Sequence, residues 1–146
     1  MILLDTNVLS ALMQRDADRS VVAWLDAQPA ESIWTTSITV FEIRFGLELL
    51  PDGRRRRRLE EAFARALEED FEGRVLSFDA GAARAAGTLA AVCRRAGRPA
   101  DIRDVQIAGI AAARRAMLAT RNVRHFEGMG LTLVDPWSSG HTPRTR

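Results

Sequence analysis

The sequence predicts an α/β protein, a single domain with a mostly parallel central sheet of about five strands covered by helices. Three observations predict it. Apolar runs of strand length recur at residues 2–4, 32–35, 74–78, 117–120 and 131–134. Helical periodicity fills the stretches between them, and connections of that length are right-handed β-α-β crossovers joining parallel strands. The 146 residues match one domain able to bury roughly two-thirds of its unfolded surface around a core. No run approaches the roughly 18 apolar residues of a membrane span, and the N-terminus lacks the pattern of a signal peptide, so a cytoplasmic location and no membrane partner are expected.

Ile2-Leu3-Leu4 stops at an acid, the pattern of a short strand buried on both faces with a carboxylate at its C-terminal end. Thr6 or Asn7 can cap the helix that follows, which carries Val8, Leu9 and Leu12. Asp5 then occupies a strand-to-helix turn, where open α/β sheets put their ligand crevice; helping to cap that helix is the plainer role for the same side chain. Ser20 to Gln28 sets Val21, Val22, Trp24 and Leu25 at helical spacing until Pro29 stops it. Ser32–Thr35 is rich in β-formers and leads, with Ser37 as N-cap, into a helix over residues 38–50.

Pro51, Asp52 and Gly53 break the pattern, and five arginines, Arg54, Arg55, Arg56, Arg57 and Arg58, precede a helix running to about Phe71. The run reads either as a phosphate-binding cluster or as a solvated face paired Arg56 to Glu60 and Arg57 to Glu61. Arg74–Phe78 is the third strand. Asp79 caps a helix from Ala80 to about Ala96, whose stripe of Ala82, Ala85, Ala86, Leu89, Ala90 and Cys93 predicts close packing on the sheet. Gly97-Arg98-Pro99 ends it, and Asp101 begins the next helix. Met117–Thr120 and Leu131–Val134 are the fourth and fifth strands, with a loop or short helical turn at 121–126 between them. Asp135-Pro136-Trp137 closes the domain at residues 1–137, and Ser138 to Arg146 is expected to be a loose tail in which His141 has no role.

The charge balance excludes several chemistries. Net charge is +2 with a pI near 9.8, and all 21 Lys+Arg residues are arginine. Without a lysine there is no Schiff-base catalysis, no Walker-type phosphate loop, and no aspartyl-phosphate site with its partner amine. Arginine keeps a nucleic-acid partner open. The single cysteine, Cys93, sits inside a helical pattern and can form neither an internal disulfide nor a thiolate cluster.

Two further acids stand out. Glu42 shares a helical face with Ile38, Phe41, Phe45 and Leu49 and has no basic residue three or four positions away. A carboxylate on an apolar face needs a metal ion or a distant arginine. Asp104 aligns with Ile107, Ala108 and Ala111, although with Asp101 it also fits a capping box. In a parallel sheet the strand ends bring Asp5, Glu42, Asp104 and the Asn122 that follows strand four to one edge. Three carboxylates gathered there repel one another unless a hard divalent cation neutralises them, and oxygen-only ligation selects Mg²⁺ or Mn²⁺ over zinc.

These motifs carry a resemblance. Leu4-Asp5-Thr6-Asn7, the helix around Glu42 reading Thr39 to Gly46, Asp104-Val105-Gln106-Ile107-Ala108-Gly109, and Ala119 to Phe126 in that order resemble the PIN-domain nucleases over nearly the whole chain. More narrowly they resemble the VapC and FitB type toxins of type II toxin–antitoxin pairs. The resemblance implies a Mg²⁺- or Mn²⁺-dependent ribonuclease whose acids match Asp5, Glu42 and Asp104, with Glu42 acting directly or through water and Asn122 as a weak or second-site ligand. Thr6 and Thr120 would be polar support, and arginines, among them Arg121 and the Arg54–Arg58 run, would hold the RNA backbone. It also implies a homodimer and a small antitoxin that fills the acidic site with a basic side chain, the pair assembling on operator DNA.

The sequence departs from the family pattern at two positions. Asn122 stands where many relatives have a fourth acid, which weakens any second metal position, and His125 stands where Asp is frequent. His125 reads as a catalytic base or as a surface or capping residue. Trp24, Trp34 and Trp137 could stack on bases, but their apolar surroundings assign them to the core. Two other readings share the same residues: a metal-free module that acts only through antitoxin and DNA complexes, and a nuclease directed at DNA, since no residue tests for the 2′-hydroxyl.

Overall fold

The computed structural model describes residues 1–138 and 143–146. Its strands are β1 (Ile2–Leu4), β2 (Ile33–Thr36), β3 (Val75–Leu76), β4 (Met117–Ala119), β5 (Thr132–Val134) and β6 (Arg144–Thr145). The helices are α1 (Thr6–Met13), α2 (Arg19–Asp26), α3 (Ser37–Leu49), α4 (Arg54–Arg65), α5 (Ala80–Arg95) and α6 (Ile102–Arg114). The sheet order is β3-β2-β1-β4-β5-β6, with the first five strands parallel and β6 antiparallel to β5.

β1 lies inside the sheet because none of its side chains suits water: Ile2, Leu3 and Leu4 are all buried. Alternation along a strand sends Leu3 to one face and Ile2 and Leu4 to the other. Leu3 joins Leu118, Leu133 and the inner sides of α5 and α6. Ile2 and Leu4 join Ile33, Val134 and residues of α1, α2, α3 and α4. Trp24 is buried in this second core, and Trp34 packs partly buried against the first. The small-residue stripe of α5 does bring a close approach, and its tightest point is with α6. A methyl group on Gly109 would stand 2.5 Å from the Ala82 carbonyl oxygen and 2.7 Å from Ala86 Cβ. Among the described residues no helix is long and apolar enough to cross a membrane.

Several sequence expectations need correction. The sheet has a sixth strand. β5 without it would present an unpaired edge, and Arg144–Thr145 covers that edge in the register Thr132 to Thr145 and Leu133 to Arg144. Arg146 adds an ion pair to Glu127 at 2.7 Å, so part of the expected loose tail is tied down; residues 139–142, with His141, lie outside the described residues. Of the cap candidates for α1, Asp5 takes the role, not Thr6 or Asn7. At α3 the N-cap falls one residue earlier than expected: Thr36, not Ser37, caps it through Thr39 N–H at 3.1 Å. Ser37 Oγ instead accepts from Phe78 N–H.

The largest correction concerns α3. Its core face is Thr39, Ile43 and Leu47, while Phe41, Phe45 and Leu49 are 57%, 51% and 70% exposed. Phe41 and Phe45 stack on each other at 6.1 Å between ring centroids. Helical spacing says which residues share a face; it does not say which face meets the sheet. Here β2 ends in Thr35 and Thr36, both fully buried, and the threonine side of α3 follows them inward.

Candidate active site

In the order β3-β2-β1-β4-β5 the chain runs outward in both directions from the boundary between β1 and β4. Such a switch point opens a crevice beyond the strand ends. Asp5 follows β1 and Thr120 follows β4, so they face each other across it. Asp5 N–H donates to the Ala119 carbonyl at 2.9 Å, and the Thr120 hydroxyl donates to Asp5 Oδ2 at 2.7 Å. Asp5 Oδ1 accepts from Thr6 N–H at 2.8 Å, which makes it both the cap of α1 and a site carboxylate. Asn7 Nδ2 donates to Asp5 Oδ2 at 3.3 Å. Both oxygens of this buried acid are therefore fixed.

The helices supply the outer half. Glu42, in the second turn of α3, accepts from the Thr6 hydroxyl at 2.9 Å, and that hydroxyl also lies 3.2 Å from Thr39 Oγ1. Arg103 on α6 stands 3.8 Å from Glu42 Oε2 and 3.6 Å from Asp101. Asp101 caps α6 through Arg103 N–H, so Asp104 is left free to face the cleft, where His125 Nδ1 lies 3.0 Å from its Oδ2. Asn122 follows Thr120 and donates its backbone N–H to Thr120 Oγ1 at 3.0 Å.

All three acids are pushed above the ordinary carboxylate range, and burial is the main cause in each. For Asp5 the Thr120 and Thr6 hydrogen bonds oppose the shift and the charge of Asp104 adds to it. Thr6 and Arg103 partly relieve Glu42, which feels Asp5 and Asp101. His125 partly relieves Asp104, which feels Asp101 and Glu42. Each of the three carboxylates thus feels at least one of the others across the cleft, an effect smaller than burial.

The sequence-selected acids and threonines are brought together here, with Asn122 and Arg121 at the edge. The Arg54–Arg58 run is not. It starts beyond the far end of α3, about 10 Å along the helix axis from Glu42 at 1.5 Å per residue. Arg56 is engaged with Glu48 at 2.9 Å, Asp52 at 3.3 Å and Glu60 at 2.7 Å. Of the two expected pairs Arg56–Glu60 forms, and among the described residues Arg57–Glu61 does not. Arg44 pairs with Glu48, not with Glu42.

Three contributors to the site are not singled out by the sequence. Asn7 stands out there only as a cap candidate, Thr39 lies off the apolar face that the spacing of α3 suggests, and Arg103 is overshadowed by Asp104. The available signal for Arg103 is its place one residue from a candidate site acid.

Comparison with known proteins agrees with this geometry. The PIN domain family profile matches residues 2–130. The VapC ribonuclease Y4jK of Sinorhizobium fredii is 41% identical over 137 residues, covering 94% of this chain and 98% of that protein. Toxin FitB of Neisseria gonorrhoeae is 33% identical over 137 residues, covering 94% of this chain and 99% of FitB. The solved structure of FitAB bound to an IR36 DNA fragment superposes with a TM-score of 0.88 at 33% identity, covering 97% of this chain and 99% of that one. With its acids at the β1–β4 switch point and similarity running nearly end to end, this chain belongs to the PIN-domain family of nucleases, among the VapC and FitB type toxins.

Proposed function

We propose that the protein is a divalent-metal-dependent endoribonuclease, the toxin of a type II toxin–antitoxin pair, hydrolysing RNA phosphodiester bonds at the cleft of Asp5, Glu42 and Asp104. The observation that carries this reading is geometric: Asp5, fixed by Thr120 and Thr6 at the β1–β4 switch point, shares Thr6 with Glu42 and faces a cleft that Asp104 lines beside His125, all three carboxylates raised mainly by burial, in a chain without lysine. The donor set is all oxygen, which suits Mg²⁺ or Mn²⁺. Among the described residues no three His, Cys, Asp or Glu side chains stand together as a ready ligand set, so water and substrate oxygens would complete the coordination. When bound, such an ion activates water and offsets charge on the phosphoryl oxygens.

The chain's own residues supply positioning. Thr120, Thr6 and Asn7 hold Asp5 in one orientation; Thr6 also aims Glu42. His125 orients Asp104 and stands where it can take or give a proton at the cleft mouth. Arg103 partly neutralises Glu42 and, being half-exposed, can turn toward a phosphate. Asn122 offers a neutral oxygen at the same edge.

RNA as the substrate draws support from the ribonuclease name of the Sinorhizobium relative. The solved FitAB complex on a DNA fragment supports an antitoxin partner and an assembly of the pair on DNA; a toxin homodimer, a small antitoxin and operator DNA as the assembly site are part of the proposal. The expected location is cytoplasmic. Purified, antitoxin-free protein should cut RNA with Mg²⁺ or Mn²⁺, stop cutting with chelator, and lose activity as Asp5→Asn. Equal cutting of RNA and matched DNA would redirect the proposal to a general nuclease. No cutting of either by folded protein would overturn it.

A further inference from the structure

The rim of the cleft carries three cationic or cation-forming side chains, and they are not equivalent. Arg103 and His125 each face a carboxylate, Glu42 at 3.8 Å and Asp104 at 3.0 Å. Arg121 faces none. Among the described residues its guanidinium forms no ion pair and no hydrogen bond; it lies over the Trp137 indole, 5.0 Å from the ring centroid.

The other end of Arg121 is anchored too. Its backbone N–H donates to Asn7 Oδ1 at 3.2 Å, and the same Asn7 donates through Nδ2 to Asp5. Trp137 is itself anchored, by its backbone N–H to Asp135 Oδ1 at 2.9 Å and by the packing of its ring against the core that contains Ile2 and Leu4. The backbone of Arg121 is thereby tied through Asn7 to the most buried acid of the site, while its exposed guanidinium rests on Trp137.

We propose that Arg121 is a phosphate-binding residue that seats the substrate backbone on the Asp5 side of the cleft, with Trp137 as its positioning residue; the proposal rests on the nuclease reading above. The chemistry follows from what the contact leaves unused. A cation–π contact draws on the charge of the guanidinium and occupies none of its N–H donors with an oxygen, so the planar fork stays open for bidentate contact with a phosphodiester. Three carboxylates at the cleft repel a polyanion, and a cation not already matched by a carboxylate is what offsets that repulsion. Holding the side chain against indole also lowers the conformational entropy lost on binding. The Arg54–Arg58 run, placed at the far end of α3, is not needed for this contact.

The test is binding of a short labelled single-stranded RNA, and of DNA of the same sequence, to intact protein in chelator, where nothing is cut, across a salt series. Arg121→Ala should raise Kd roughly 10-fold, the scale of one charge-assisted hydrogen-bonded contact. It should also flatten the dependence of log K on log salt by about 0.7, the share of one phosphate on a single strand. The change should be similar for RNA and DNA, because the contact is to phosphate.

Arg121→Lys should restore the salt slope and only part of the affinity. Trp137→Leu should weaken binding several-fold with the slope kept, and Trp137→Phe should return most of it. Wild-type Kd and slope in Arg121→Ala, beside a wild-type protein that binds, would overturn the role of Arg121 alone. A lowered melting temperature with unchanged slope would make the pair merely structural and overturn it as well. Failure of wild-type protein to bind either polymer would overturn the nuclease reading together with it.

Discussion

The two halves of the acidic cleft are built differently. At the strand ends Asp5 and Thr120 are buried, their hydrogen bonds are formed with backbone and neighbouring side chains, and the sheet register sets their separation. At the helix rim Glu42 and Asp104 are part-exposed and each leans on a long or rotatable partner, Arg103 or His125. The first half is preorganised. The second can rearrange when a cation or substrate arrives, because its partners can move into water at little cost. A site assembled this way keeps one carboxylate fixed and lets two others adapt.

Substitution of the fixed acid probes this difference most directly. Asp5→Asn should reduce metal-dependent RNA cleavage by roughly 1000-fold, while Glu42→Gln or Asp104→Asn should each cost less, about 10- to 100-fold, the range for perturbed metal-site groups. Single-turnover cleavage with Mn²⁺ checks the ranking. An equal loss in all three would remove the distinction between the halves.

Stability should divide along the same line. Thr120→Val strips Asp5 of its shortest hydrogen bond and Asn122 N–H of its acceptor, and should cost about 1–3 kcal/mol, measured by urea unfolding. Arg103→Gln touches an ion pair open to solvent and should change stability by less than about 0.5 kcal/mol.

The pH dependence of stability tests what the two halves share. Asp5, Glu42 and Asp104 all have folded-state affinities for protons above those of the unfolded chain. The folded state therefore binds more protons than the unfolded one, and the metal-free protein should lose stability as pH rises from the ordinary carboxylate range through their raised values. The same reasoning predicts that Asp5→Asn melts higher than wild type at neutral pH without metal. Adding Mn²⁺ should reverse that order. The smallest effect is expected at Phe45→Ser, which alters an exposed ring and should leave folding nearly unchanged, in contrast to about 2–5 kcal/mol for Ile43→Ala on the opposite side of α3.

That last pair shows what is and is not legible in the sequence. The end of β1 is readable because a short apolar run that stops at an acid matches little besides a buried strand meeting a polar crevice, and the five parallel strands follow from apolar runs spaced by helical stretches; Thr120 is reached only through the family resemblance. Caps are readable where an acid directly precedes a helical stretch, as at Asp79 and Asp101. The side of α3 that meets the sheet is not, because both of its faces carry apolar residues and tertiary packing alone chooses Thr39, Ile43 and Leu47. Arg103, Asn7 and the Arg121–Trp137 contact escape for a related reason: each joins residues far apart in sequence, and polar pairing across the fold leaves no periodic trace. β6 also lies beyond periodicity, a two-residue strand recognisable only once β5 is seen as an edge.

That the three acids are short of a cation, with Asp5 the fixed member of the set, is tested most directly by calorimetric titration of metal-free protein with Mn²⁺, beside Asp5→Asn of matched fold. Saturable binding by the wild type that is abolished or strongly weakened in Asp5→Asn is the predicted result. No binding by the folded wild type, or equal binding by both, would contradict it.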